Sequence, residues 1–449
     1  MRLAGTILMA AWALAAAEPP GDQLESRGPL PLSLKRAVEI ALAPEGNTNI
    51  RLAAEALQQS RSRADEARGA LLPNLDSAFS YQSRTENLAA QGLTDVHLPF
   101  PGFAFPNLVG PFSTMDARIS ASQSVLDFSS LRRYQAARTG VSASRGDIEA
   151  TGEQVAAQVA LAYLAAVRAD ADVESATANV KLSEALLTQA NNEKAAGTGT
   201  GIEITRAKVQ LANDRQHLLE AENAERAAHL RLLRAMNMRL DVELDLTDRL
   251  SYTPVDEVTL ADAQSLALRT RPDFRAQQER ERSAQLSASA TRAERMPSLA
   301  AFADYGASGS GLENSLPTRT VGISVRVPIF DGGRRDARRE ESNSQYRAEQ
   351  TRTNDLKEQI GLDVRLALDA LKSAQDEVGV AKDGLELSEN ELAQARRRYE
   401  AGVTNSIEVT DAQTRLERAR DNQTAALYQY NVARIQLAQA MGKVRNTVQ

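Results

Sequence analysis

Few residues of this chain have types and spacings that could do chemistry. The three histidines, His97, His217 and His229, are never three or four positions apart, so no zinc-binding pair shares a helix face and no metal site is expected. Gly197-Thr-Gly-Thr-Gly201 has the composition of a phosphate loop, but it follows a helical stretch and lacks a following Lys-Ser or Lys-Thr. No serine sits in a Gly-x-Ser-x-Gly turn between a strand and a helix, and there is no cysteine. Basic runs such as Gly333-Arg-Arg-Asp-Ala-Arg-Arg339 and Arg396-Arg-Arg398 lie beside acids on helices and read as solvated faces. A formal net charge of −6 gives no electrostatic footprint for nucleic acid. Neither an enzyme nor a cofactor is expected. What remains to be explained is a set of carboxylates beside a turn.

That turn is written twice. Lys194-Ala-Ala-Gly-Thr-Gly-Thr-Gly-Ile-Glu-Ile-Thr-Arg-Ala207 and Tyr399-Glu-Ala-Gly-Val-Thr-Asn-Ser-Ile-Glu-Val-Thr-Asp-Ala412 align at a constant offset of 205 positions. Each joins two helical segments, so each reads as the tip of a helical hairpin. Gly197 and Gly402 supply the left-handed residue that ends the first helix. Glu203 and Glu408 fall in the first turn of the second helix, where the dipole favours an acid.

The elements that hold these turns repeat as well. A helix opening at Leu34 and running to about Leu72 is echoed by one from Leu260 to near Met296. Both stop at a proline, Pro73 and Pro297, which also suits the first residue of a strand. Strands of alternating polarity follow. Leu75, Phe79 and Tyr81 oppose Asn74, Asp76, Ser80 and Gln82, and Ile119, Ala121 and Val125 oppose Arg118, Ser120 and Ser122. In the second copy Leu299, Ala301, Ala303 and Tyr305 lead to Val321, Ile323, Val325 and Val327. This alternation fits an outer-membrane barrel and equally a half-buried soluble sheet. The loop of the first hairpin is 20 residues longer and contains Pro99-Phe-Pro-Gly-Phe-Ala-Phe105, either a loop packed on itself or an outer contact surface. Each hairpin launches a very long helix. Val155, Val159, Ala162, Ala166, Ala169, Val173, Ala176, Val180, Ser183, Leu187 and Ala190 form a seam of alternating four- and three-residue steps. The same seam recurs from Ile360 to Ala395, again 205 positions on. At about 1.5 Å per residue such helices approach ~100 Å, so the molecule is elongated.

Met1 to Ala17 has a basic start, a short apolar run and an Ala-x-Ala end, the form of a secretory signal peptide. Beyond it no stretch reaches the ~20 apolar residues of a spanning helix, so strands would have to enter any membrane. The 449 residues, with aromatic content of only 4%, divide into a signal peptide (1–17), an extended arm (18–31), a first repeat (32–239), an acidic connector (240–258), a second repeat (259–442) and a tail (443–449). Four strands cannot close a barrel and lipid tolerates no open strand edge, whereas three copies would give twelve.

The strand hairpins, Val327-Pro-Ile-Phe-Asp-Gly-Gly333 and the paired tips, in this order and doubled spacing, resemble the outer-membrane efflux protein (TolC-like) family over essentially the whole mature chain. The resemblance implies an α+β membrane protein: a homotrimeric twelve-stranded barrel, four strands per chain, in outer-membrane lipid. A long periplasmic α-helical coiled-coil barrel continues it. It further implies the exit duct of a tripartite pump, docked to a periplasmic adaptor and an inner-membrane transporter and passing drugs, metal ions or polypeptide. On this resemblance Glu408 and Asp411, three apart and on one helix face, form acidic rings at the aperture. Tyr399 locks neighbouring coils, Glu203 is the acidic partner on the first hairpin, and Thr404 stands where a basic locking residue is expected. The rival is a periplasmic coiled-coil scaffold or adaptor without a pore, which has no need of four amphipathic strands.

Overall fold

The computed structural model describes residues 29–43, 46–92, 105–197, 199–255, 258–404 and 406–448. The signal peptide, most of the arm, His97 and the loop segment 99–104 lie outside them. The first half of the chain runs β1 (Leu30–Leu32), α1 (Leu34–Leu42), α2 (Thr48–Gly69), β2 (Asn74–Asn87), β3 (Leu108–Leu126), α3 (Phe128–Ala195) and α4 (Gly201–Ala235). The second runs β4 (Leu244–Leu246), α5 (Leu260–Thr270), α6 (Pro272–Ala293), β5 (Ser298–Gly309), β6 (Leu316–Arg326), α7 (Arg334–Glu400), α8 (Ser406–Ala440) and α9 (Val444–Val448).

Where the sequence pattern suggested one continuous helix at the start of each half, there are two. Pro44 disfavours a helical residue before it, and Ala43 accordingly turns to ψ 148°; Asn47 then caps α2 by accepting from the Asn49 N–H. In the second half Pro272 does the same to Arg271 (ψ 118°) and heads α6 itself, at the position where its missing N–H costs nothing. The connector is also more ordered than its acidic, Pro-containing sequence suggested: Leu244–Leu246 pairs in parallel with Leu30–Leu32, tying the arm to the middle of the chain.

The four long strands form one antiparallel sheet in the order β2-β3-β5-β6. Register places Leu75 opposite Ala121, Phe79 opposite Ala117, Ile119 opposite Tyr305, and Ala301 opposite Ile323. The apolar residues of both hairpins therefore share one continuous face, and it is bare: Phe79 is 69% exposed, Ile323 72% and Val321 79%. On the polar face Arg118 pairs with Asp116 at 2.5 Å and, across strands, with Asp304 at 2.9 Å. The outer edges of β2 and β6 have no strand partner among the described residues. A bare apolar face beside open edges is the surface a chain must cover on assembly.

The sheet passes directly into the rods. Asp127 alone separates β3 from α3 and caps it, accepting from the Ser129 and Ser130 N–H groups at 2.9 and 3.2 Å. Gly333, at φ 83°, precedes α7. α3 and α7 have 68 and 67 residues, and every seam position read from the sequence is buried or half-buried. The largest core lies at mid-length, where Leu32, Val38, Val155, Val159, Tyr163, Leu232 and Val444 meet; the Tyr163 hydroxyl donates to Leu32 O at 2.9 Å. Burial and the neighbouring Asp248 hold the Tyr163 phenol far above its ordinary pKa, so it stays a donor. A smaller core of Leu392, Ala395, Val409, Ala412 and Leu416 closes the far end, against Leu182, Leu186 and Tyr399. Among the described residues no helix is long and apolar enough to cross a membrane.

Candidate functional site at the hairpin tips

Both tips are built from the same cap. Gly197 (φ 80°) and Gly402 (φ 72°) take the left-handed conformation. The Gly402 N–H donates to Tyr399 O at 2.9 Å and the Val403 N–H to Arg398 O at 3.0 Å, satisfying the last carbonyls of α7. At the first tip Glu203 Oε2 accepts from the Thr200 N–H at 2.8 Å, which fixes the start of α4.

Glu203 is thus engaged within its own hairpin. The hydrogen-bond partner of Tyr399 is Glu193, in the last turn of α3, whose Oε2 accepts from the phenol at 2.5 Å. Glu203 acts on Tyr399 only through its charge. Burial first, then the Glu193 bond and the two carboxylate charges, push the phenol well above its ordinary pKa. Tyr399 therefore remains a neutral donor throughout the physiological range, bridging α7 to α3. Its ring also packs on the Leu392 cluster, so the side chain combines packing with a directed bond.

Glu408 is not a free carboxylate. Its Oε1 lies 3.3 Å from Arg398 Nε, and Thr404 Oγ1 donates to its other oxygen. A basic side chain, Arg398, thus faces Glu408 from six positions before Thr404, on the other side of the turn. Asp411 differs: it is exposed and forms no hydrogen bond or ion pair with the described residues. One turn above it on α8, Arg415 is engaged by Glu391. The two acids share a helix face, as their spacing required, but not an electrostatic environment.

One layer above the tips, a polar node replaces the apolar seam. Ser183 donates to Asp214 Oδ2, Gln413 Nε2 donates to Ser183 Oγ at 3.2 Å, and Gln210 Nε2 donates to Asp214 Oδ1 at 2.9 Å. Ser183, Asp214 and Gln413 are all buried, so α3, α4 and α8 are fastened by hydrogen bonds shielded from bulk solvent. Asp214→Ala strands both donors and is expected to cost about 1–3 kcal/mol locally. Faster hydrogen exchange in the lower turns of α3 and α4, with the sheet unchanged, is the readout.

Above the node lies an acidic layer. Glu417 is held above the usual carboxylate range by burial and by the charge of Asp214; Asp421 and Asp172 are raised by burial, while Arg168 pulls both of them back. Each folded pKa exceeds its unfolded value, so the native state holds extra protons in that window and stability rises as pH falls through it. Glu417→Gln and Asp421→Asn are each expected to raise the thermal midpoint at about pH 7.5, with the gain shrinking towards about pH 4.5.

Glu193, Arg398 and Asp214 carry the tip's polar contacts; the sequence gives no role to Glu193 or Asp214 and places Arg398 on a solvated basic face, where it in fact pairs with Glu408. A signal for the first two was present: they occupy equivalent positions before the two turns, 205 apart, with opposite charges. Ser183, a hydroxyl within an apolar seam, was the signal for Asp214.

A model of the family described as outer membrane efflux protein matches residues 40–238 and 263–443. Alkaline protease secretion protein AprF of Pseudomonas aeruginosa is 23% identical over 323 residues, covering 70% of this chain and 67% of that protein. Pyoverdine export outer membrane protein OpmQ of Pseudomonas putida is 24% identical over 411 residues, covering 90% of this chain and 83% of that one. Among solved structures, the open state of the MtrE outer membrane channel of Neisseria gonorrhoeae matches 91% of this chain and 88% of its own with a TM-score of 0.77, a likeness of fold at 21% identity. The family match spans both halves of the chain, strand hairpins and long helices included. This chain belongs to the outer membrane efflux protein family.

Proposed function

We propose that this outer-membrane efflux protein forms its conduit as a homotrimer, each chain giving four strands to a twelve-stranded barrel and its long helices to a periplasmic tunnel. The observation that carries this reading is the sheet: a continuous bare apolar face and two open edges, joined to helices of 68 and 67 residues through Asp127 in the first half and the segment 327–333 in the second. Three copies cover the edges against one another and leave the apolar face to lipid. The tunnel then narrows at the tips, where Tyr399 and Glu193 hold adjacent coils and Asp411 of each chain lines the entrance. Conduction is passive and no residue does covalent work. A periplasmic adaptor docks on the helical end, and an inner-membrane transporter selects the cargo. Relatives named for protease secretion and for pyoverdine export support a duct that is generic in what it passes.

Single-channel recording of the purified mature protein in a planar bilayer tests this. Discrete, small, cation-preferring steps are expected, with a particle mass of three chains in detergent. A soluble, elongated particle that never enters the bilayer would replace the conduit by a periplasmic scaffold.

A further inference from the structure

Asp170, Glu225 and His229 form a cluster that the conduit does not use. Asp170 lies on α3, and Glu225 and His229 lie one turn apart on the same face of α4, its packing neighbour. The three offer ligand atoms that all lie within 4.8 Å of one another, and all three side chains are half-buried. His229 Nε2 is 2.8 Å from Asp170 Oδ1. The charge is unbalanced. Among the described residues neither Asp170 nor Glu225 has an Arg or Lys partner. Arg168, close by in sequence, is turned towards Asp172 at 3.7 Å and over the ring of Tyr428. Two carboxylates and one imidazole thus converge between two helices, and among the described residues no Arg or Lys faces them.

We propose that Asp170, Glu225 and His229 bind a divalent transition-metal ion that clips α3 to α4. One nitrogen and two oxygens suit Zn²⁺, Cu²⁺, Ni²⁺ or Co²⁺ better than the all-oxygen shells of Mg²⁺ and Ca²⁺. Bonds of about 2.0–2.2 Å place tetrahedral ligands roughly 3.4 Å apart. The present spacing reaches that geometry by rotamer adjustment, with the ion displacing the proton shared by His229 and Asp170; a water fills the fourth position. The clip lies about 40 Å above the tip, counting 27 residues of α3 from Asp170 to Gly197 at 1.5 Å each. It would hold the upper part of the first hairpin while leaving the tip free to move. Spacing between histidines could not reveal such a site, because its second and third ligands are carboxylates.

The test uses the full mature protein without an affinity tag, stripped with a chelator and titrated with Zn²⁺ against a chromophoric competitor. One Zn²⁺ per chain is expected. His229→Ala and Glu225→Gln should each weaken binding at least tenfold; the latter leaves the His229–Asp170 pair intact and guards against misfolding. His217→Ala should bind like the parent protein. Cu²⁺ loaded in place of Zn²⁺ should show splitting from one imidazole nitrogen in its paramagnetic resonance spectrum, lost in His229→Ala. Sub-stoichiometric binding, unchanged affinity in Glu225→Gln, or imidazole splitting that survives in His229→Ala would overturn the assignment. None of these readouts depends on conduction, so they stand apart from the channel reading.

Discussion

Asp411→Asn is expected to abolish most of the channel's preference for cations, whereas Glu408→Gln should change it little. The two residues are equivalent on paper: both acidic, three apart, on one face of α8. They differ in what surrounds them. Arg398 at 3.3 Å offsets the charge of Glu408, and Thr404 occupies its second oxygen. Asp411 is exposed and has no partner among the described residues. At roughly 6 Å in water a carboxylate stabilises a monovalent cation by about 0.7 kcal/mol. Physiological salt, with a screening length of about 8 Å, removes around half of that. In the proposed trimer three copies would sum to about 1 kcal/mol, roughly a fivefold preference for cations over neutral passage. Reversal potentials in a salt gradient read this directly. A larger loss in Glu408→Gln than in Asp411→Asn would show that Arg398 leaves Glu408 free in the trimer and would reverse the assignment. Arg398→Ala offers a converse check: by releasing Glu408 it should increase cation preference.

The sequence was most informative where a period carried the information. The seam from Val155 to Ala190, and its counterpart 205 positions on, could be assigned residue by residue because a helix packed along its whole length must repeat its apolar positions. The strand faces were legible for the same reason, since alternation with period two has one solution once a face is bare. What the periods concealed was local. Pro44 and Pro272 break helices whose amphipathic pattern continues across the break, so the pattern outvoted the proline. The β1–β4 ladder is three residues long, too short to leave a pattern, and joins segments more than 200 residues apart. The tip contacts were hidden for a third reason. Tyr399 to Glu193, and Gln413 to Ser183, connect different helices of different halves, and only the crossing of those helices decides which side chains meet. A motif carried across by resemblance put the acid on Glu203. In the single chain that residue caps α4 at Thr200, and a second acid, Glu193, one turn before the glycine, meets Tyr399.

Tyr399→Phe separates the two things this side chain does. Phenylalanine keeps the ring against Leu392, Val409 and Leu416 and removes only the hydroxyl that donates to Glu193. If Tyr399 matters by packing alone, the variant behaves like the parent protein. If the bond holds α7 against α3 in the closed aperture, the closed state loses its contribution. A hydrogen bond to a carboxylate is worth about 1.5–3 kcal/mol in a dry site, and the partial exposure of this pair reduces it to about 1 kcal/mol per chain. Three chains closing together would lose about 3 kcal/mol, a shift of roughly two orders of magnitude in the closed-to-open ratio. The expected result is a channel that spends far more time in its larger conductance states, at unchanged ion selectivity because Asp411 is untouched. Glu193→Gln keeps a neutral acceptor and should fall between the two. Equal conductance in Tyr399→Phe and the parent would reduce Tyr399 to a packing residue; opening in Tyr399→Phe with none in Glu193→Ala would mean that the hydroxyl acts through some other partner in the assembled trimer.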